Sequence, residues 1–135
     1  MDKKKRILIL SDSLALPRNK PEITFVEDTY PYLLKNQFEV YQCSIGGGLS
    51  SDLLKQSFYY SQYQPDIVIL QSGIVDCAPR AYSLKEETLF KQYKFFGFFR
   101  TILSRTITTR RLRSIRKKVW TKLKDYKNEI NGISR

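Results

Sequence analysis

The sequence predicts an α/β fold: a three-layer, flavodoxin-like parallel sheet, incomplete as it stands, followed by a basic C-terminal helical extension. Three short apolar runs alternate with helix signals, which favours βαβ units. The 135 residues are 41% hydrophobic, enough for one domain with a buried core. Residues 1–90 have 10 Lys and Arg against 11 Asp and Glu, whereas residues 91–135 have 14 against 2. We therefore expect an α/β core over residues 1–90 and a basic helical extension over residues 91–135.

The three apolar runs predict the strands. They lie at residues 6–10, 39–43 and 67–70. The third is a continuous apolar run, which is typical of a strand that is buried on both faces of a parallel sheet. We expect the strand order 2-1-3, and three strands are few for a doubly wound sheet.

Helix signals lie between the strands and after the third. A helix from about residue 29 to 37 has Pro31 in its first turn, where a missing amide hydrogen costs nothing. A second helix over about residues 52–63 has Ser50 or Ser51 as its predicted N-cap. A third helix is predicted over residues 84–96.

Each predicted strand is followed by a loop with polar or glycine residues. Because the carboxyl ends of parallel strands meet at one edge of a sheet, we expect these loops to converge. A serine, a glycine turn with free amides and an acidic loop on one rim make an acyl-transfer site plausible. The loops read Ser11-Asp12-Ser13-Leu14, Ser44-Ile45-Gly46-Gly47-Gly48 and Ser72-Gly73-Ile74-Val75-Asp76-Cys77.

These loops resemble the sequence blocks of the SGNH or GDSL-type hydrolases. The first loop is similar to the family's Gly-Asp-Ser-Leu block, and the resemblance implies that Ser13 is the catalytic nucleophile. It assigns Gly47 to the second block, and Gly73 begins the third, Gly-x-Asn-Asp. Val75 replaces the Asn of that block, so one oxyanion donor is missing. Asp12 and Asp76 are further candidates for the rim, with the alternative that they satisfy loop amides.

The resemblance implies an ester hydrolase, acting on a small-molecule or glycan acyl ester. The stretch from Ile74 to Arg80 resembles a variant of the third block found in bacterial proteins associated with surface polysaccharide synthesis, which implies an O-acyl group on a sugar. The family's last block, Asp-x-x-His, has no match, and the chain has no histidine. A serine hydroxyl needs an adjacent base. We therefore expect a truncated, fragmentary or degenerate member with weak activity or none.

Features that the sequence lacks determine our expectations about cofactors and cellular compartment. Residues 46–48 match no phosphate-binding glycine motif, so we expect no bound nucleotide. Because the chain has no histidine, we also expect no metal ion or other cofactor. Cys43 and Cys77 are too few for a disulfide scaffold, and buried thiols are the default. The N-terminal apolar run is too short for a signal peptide, so we expect a cytoplasmic protein.

The basic extension has its own set of interpretations. Residues 100–130 predict one or two basic helices, preceded by an aromatic cluster at residues 94–100. Such a run attracts phosphates or anionic lipid without sequence specificity. Three interpretations stay open: a solvated helical face, binding of residues 100–124 to an anionic membrane surface or another polyanion, and specific nucleic-acid recognition, which is the least favoured. The second would make the chain a non-catalytic binding module.

Overall fold

A computed structural model of the chain describes residues 3–20, 22–92 and 109–133. Its sheet has three parallel strands in the order β2-β1-β3. The predicted α/β class, the parallel sheet and the 2-1-3 order are therefore confirmed. The strands are β1 (Arg6–Ser11), β2 (Glu39–Ser44) and β3 (Ile67–Gln71).

Each strand extends one residue beyond its predicted end, and that extra residue is polar. Ser11 pairs with Ser44 on one side and with Gln71 on the other. The strands are thus in register up to their last residues. The three following loops begin at the same edge of the sheet.

The core is centred on β1. Side chains of successive strand residues point to opposite faces. Residues 7–10 are at most 3% exposed, so β1 is buried on both faces. Leu8 and Leu10 form a cluster with Cys43, against which Tyr60 and Ile133 pack.

The prediction that the third strand is buried on both faces is wrong. Ile67 is 39% exposed and Val68 is 49% exposed. The reason is that, within the described residues, β3 pairs with β1 alone and is an edge strand. An apolar groove of about 270 Å³ lies beside it, lined in part by Leu8, Phe58 and Val68.

Six α-helices and three short 3₁₀ helices accompany the sheet in the described part of the chain. Residues 93–108 lie outside that part, and with them the end of the predicted 84–96 helix, the whole aromatic cluster at residues 94–100 and residues 101–108 of the predicted basic helices. The α-helices are α1 (Tyr30–Leu34), α2 (Ser50–Tyr60), α3 (Ile74–Cys77), α4 (Leu84–Gln92), α5 (Thr109–Arg116) and α6 (Leu123–Ile133); the 3₁₀ helices are Ser13–Ala15, Val26–Asp28 and Ser61–Tyr63.

The start of α2 corrects the predicted N-cap. Leu49 is the cap residue and Ser50 already belongs to the helix. The carboxylate of Asp52 accepts a hydrogen bond of 3.1 Å from the Leu49 amide. The Ser50 hydroxyl donates instead to Glu129, and Ser51 lies within the first turn of the helix. In α1, the proline lies in the first turn as predicted.

Contacts divide the chain into two compact units. The sheet unit comprises Met1–Val75 together with Lys124–Arg135, and the basic unit comprises Asp76–Leu123. Within the sheet unit, a Cβ atom on Gly132 would lie 3.0 Å from Leu54, so α6 approaches α2 closely. The predicted division into residues 1–90 and 91–135 concerns domains and stays a prediction.

The basic unit has a small interior of its own. Ala81 and Tyr82 are buried. The indole Nε1 of Trp120 donates a 3.2 Å hydrogen bond to the Tyr82 carbonyl. The guanidinium of Arg80 lies 4.5 Å from the centroid of the Trp120 ring. Among the described residues of the whole chain, no helix is both long enough and apolar enough to span a membrane.

Candidate active site

Ser13 lies on a sharp turn at the carboxyl end of the central strand. It is the first residue of the Ser13–Ala15 3₁₀ helix and is exposed. The preceding residue, Asp12, is 1% exposed and caps that helix, because its Oδ1 accepts a 3.0 Å hydrogen bond from the Leu14 amide. The Asp12 amide donates to the Gln71 carbonyl over 3.0 Å. The buried Asp12 side chain therefore stabilises the turn through its hydrogen bond to Leu14, while Ser13 is exposed on the surface.

The glycine turn after β2 lies beside this first loop. The Ile45 amide donates to the Ser11 carbonyl over 2.9 Å. A Cβ atom on Gly46 would lie 3.7 Å from Leu16, just past the Ser13 turn. The Gln42 side chain adds a 3.1 Å hydrogen bond to the Ala15 carbonyl. The first two predicted loops are therefore neighbours.

Gly47 adopts a positive φ angle, which glycine tolerates better than other residues. Its φ is 70°, and a Cβ atom there would meet nothing within 4 Å. The turn is closed by a 3.0 Å hydrogen bond from the Gly48 amide to the Ile45 carbonyl, so the closing bond leaves the Gly47 amide unused. The amide of Ser13, at the start of its helix, has no intrahelical acceptor either. Both are groups of the kind that stabilise a developing oxyanion.

Gln71 connects the first and third loops, and the sequence motifs did not identify it. Its Oε1 lies 3.2 Å from the Ser11 hydroxyl and 3.1 Å from the Tyr30 hydroxyl, both of which donate to it. Partial burial raises the pKa of Tyr30, so its hydroxyl keeps the proton it donates. The sequence feature that could have identified Gln71 is its position as the polar residue directly after the apolar run at residues 67–70.

The third loop is occupied by a side chain from α6. Gly73 has a φ of 110°, and a Cβ atom there would lie 2.8 Å from the Tyr126 hydroxyl. That hydroxyl donates to the Ser72 carbonyl over 3.3 Å. Tyr126 is more than fifty residues away in sequence, and no local pattern pointed to it.

Asp76 belongs to the basic unit and is fully buried there. Its Oδ1 accepts a 2.7 Å hydrogen bond from the Thr121 hydroxyl. Its carbonyl accepts hydrogen bonds from the amides of Trp120, at 3.1 Å, and Thr121, at 3.2 Å. These hydrogen bonds give Asp76 a structural role within residues 76–123. The other predicted site residues, Asp12, Ser13, Gly47 and Gly73, belong to the sheet unit.

Proton transfer from Ser13 has no evident acceptor. The chain contains no histidine. In the part of the chain that the structure describes, no side chain accepts a hydrogen bond from the Ser13 hydroxyl. The same part holds no group of three or more side chains that would ligate a metal ion. Within the described residues, the two loops therefore place an exposed serine hydroxyl near a glycine turn, and no side chain there is bonded to that hydroxyl as a base would be.

The two cysteines differ in environment. Cys43 is buried, and burial raises the pKa of its thiol. Cys77 is exposed, which corrects the expectation that both are buried. Cys43 lies inside β2 with its side chain in the core, whereas Cys77 ends the four-residue helix α3.

Comparisons with known proteins give one weak structural similarity to describe and no family. No protein-family profile matches this sequence, and no curated protein sequence matches it significantly. The matching solved structures include the crystal structure of AlinE4, an SGNH-hydrolase family esterase, with a TM-score of 0.42 and 19% identity. The match covers 54% of this chain and 42% of that one, so the chain spans well under half of that protein. With this TM-score and identity, the match assigns neither a family nor an activity to the chain.

Proposed function

We propose that the sheet unit is a serine ester hydrolase of the SGNH/GDSL type in which Ser13 is the nucleophile. The observation that carries the proposal is the exposed Ser13 hydroxyl immediately after the central strand, above a buried Asp12 cap. The adjacent glycine turn and the resemblance of residues 11–14 to the GDSL block support the same assignment.

The proposed reaction begins with attack of Ser13 Oγ on the carbonyl carbon of an acyl ester. The carbonyl oxygen becomes an oxyanion, which the amides of Ser13 and Gly47 stabilise. When the tetrahedral intermediate collapses, the bond to the alcohol oxygen breaks and the alcohol leaves with a proton. Water then hydrolyses the acyl-serine to the free acid. We take O-acylated glycans as the substrate class, on the resemblance of residues 74–80.

The general base is the missing part of this mechanism. Serine requires a group that removes its proton during attack. In a well-studied serine protease, loss of the base lowers kcat by about 10⁶, and about 10³–10⁴ over water remains from the oxyanion hole and binding. We therefore expect slow acylation of Ser13 in these 135 residues, accelerated when a base is added.

Imidazole rescue tests the proposal. The full chain is incubated with a fluorophosphonate probe, with and without imidazole, and the adduct is located by mass spectrometry. We expect one adduct, on Ser13, whose rate of formation rises with imidazole and which is absent in Ser13→Ala. Labelling that is equal in Ser13→Ala, or absent at every imidazole concentration, would falsify the assignment.

The matched control is Ser61→Ala. Ser61 is also an exposed serine at the first position of a 3₁₀ helix, Ser61–Tyr63, but it does not follow a strand. Its hydroxyl donates to the Phe58 carbonyl over 2.8 Å. This variant should label at Ser13 like the wild type. Labelling of Ser61 at a similar rate would indicate general serine reactivity rather than a site.

A further inference from the structure

The basic unit concentrates its charge in one short stretch. Residues 76–123 have 13 Lys and Arg against 3 Asp and Glu. Seven of these cations lie between residues 109 and 123, where there is no acidic residue at all. The exposed ones in the described part include Arg111, Arg113, Lys117, Lys118 and Lys122. This stretch attracts anionic surfaces by charge alone.

Aliphatic side chains are exposed among these cations. Ile115 is 72% exposed, Val119 is 38% exposed and Leu123 is 63% exposed. They are four residues apart, so each lies within about 15 Å of the next along the chain. Single exposed aliphatic residues are common on protein surfaces. Three of them alternate with cations along residues 111–123, so this segment exposes both charged and apolar groups.

The two aromatic side chains of this unit that the structure describes, Tyr82 and Trp120, are engaged in contacts within the unit. Trp120 is covered on one face by the Arg80 guanidinium, and its indole nitrogen bonds to the Tyr82 carbonyl. Tyr82 is only 8% exposed and lies 5.7 Å from the Arg116 guanidinium. Single-stranded nucleic acids are bound by exposed aromatic platforms combined with cations. These two side chains therefore do not form a stacking platform for a single-stranded nucleic acid, and duplex DNA is left as a competing outcome of the test below.

We propose that residues 111–123 dock on the surface of an anionic lipid bilayer. The lysines and arginines contact the phosphate groups of the lipids, and Ile115, Val119 and Leu123 insert at the boundary with the acyl chains. Only residues up to Arg116, and Leu123 at the start of α6, are helical in this segment, but the combination of cations and apolar side chains is the one by which basic amphipathic helices bind membrane interfaces. The charge complementarity and the exposed aliphatic groups together specify this partner, and the surface does not involve Ser13.

Vesicle sedimentation with the full chain tests the proposal. The vesicles contain equal parts of phosphatidylcholine and phosphatidylglycerol, or phosphatidylcholine alone. We expect binding to the anionic vesicles only, and we expect Ile115→Ser/Leu123→Ser to weaken it by about tenfold or more. Lys118→Gln/Lys122→Gln should weaken it by a similar factor, and more at low salt.

The matched control replaces equally exposed aliphatic residues of the sheet unit. Ile23 is 67% exposed and Leu33 is 57% exposed, so Ile23→Ser/Leu33→Ser removes similar apolar surface. This variant, like Ser13→Ala, should bind vesicles as the wild type does. The proposal is overturned if the wild type does not bind anionic vesicles. It is equally overturned if Ile115→Ser/Leu123→Ser binds them unchanged, or if duplex DNA binds more tightly than the vesicles and displaces them.

Discussion

The Tyr126 hydroxyl lies 2.8 Å from the position that a Cβ atom on Gly73 would occupy. The third loop therefore requires glycine for two reasons, its φ of 110° and the closeness of this side chain. We expect Gly73→Ala to lower the free energy of unfolding by about 2–4 kcal/mol, from backbone strain and overpacking together. Urea unfolding followed by circular dichroism measures the change.

Gly47→Ala separates these two contributions. Gly47 has a positive φ but open space around it, so only the backbone strain of about 1–2 kcal/mol is expected. Removing the hydroxyl with Tyr126→Phe should reduce the cost of Gly73→Ala by about 1 kcal/mol. Strictly additive effects of these two substitutions would contradict the contact.

Asp12 should act on Ser13 through the turn that it caps. We expect Asp12→Ala to lower the free energy of unfolding by about 1 kcal/mol, as loss of a helix N-cap does, and to slow labelling of Ser13. Asp12→Asn retains an oxygen that accepts the Leu14 amide and should stay close to the wild type in both measurements. Equal loss of labelling in the two variants would instead point to a role for the charge.

The basic unit should lose stability in acid through Glu86. Burial alone would raise the pKa of Glu86, but hydrogen bonds from Ser83 and the Arg116 guanidinium outweigh it and lower the pKa to about 2 from 4.5. Because the folded-state pKa is lowered, the stabilisation is present above pH 4.5 and is lost as the pH falls towards about 2. Glu86→Gln should remove this part of the acid sensitivity.

The measurement for Glu86 is urea unfolding at a series of pH values, monitored by Trp120 fluorescence. The ion pair is partly exposed, so its loss at neutral pH should cost about 1 kcal/mol or less. Glu27→Gln, on an exposed residue of the sheet unit, is the control and should leave the acid sensitivity unchanged. An identical pH dependence in Glu86→Gln and the wild type would refute the contribution.

Thiol reagents should distinguish the two cysteines. The thiolate is the reactive form, and Cys43 is both buried and raised in pKa by that burial. At neutral pH we expect one fast equivalent with a chromogenic disulfide, from the exposed Cys77, and a second only on unfolding. Cys77→Ser should abolish the fast phase. A fast phase that survives in Cys77→Ser would show that Cys43 is accessible.

Local sequence signals were sufficient for the sheet. The apolar runs identified all three strands to within a residue, because a central strand such as β1 requires uninterrupted Ile and Leu. The strand order followed from general rules for open parallel sheets. The exposure of Ile67 and Val68 could not be predicted from the apolar run at residues 67–70. It depends on whether another strand pairs with the free edge of β3.

The positions of candidate site residues could be predicted only where a residue follows closely on a strand. Asp12, Ser13 and Gly47 follow strands directly, and their positions could be inferred from those strands. Tyr126 and Glu129 could not, because a helix far along the chain brings them to Gly73 and Ser50. The cap of α2 was missed for the same reason: Ser50 is a good cap residue whose hydroxyl has a distant partner.

The sheet unit is assembled from two segments, with the 48 residues of Asp76–Leu123 between them. During translation the first segment therefore leaves the ribosome before the last helix exists. At about 5–20 residues per second, synthesis from Asp76 to Ile133 takes roughly 3–12 seconds. Throughout that interval the face of Leu8 and Leu10 lacks the packing of Ile133. Until Ile133 has been added, nascent chains should accordingly expose this apolar face to holdase chaperones.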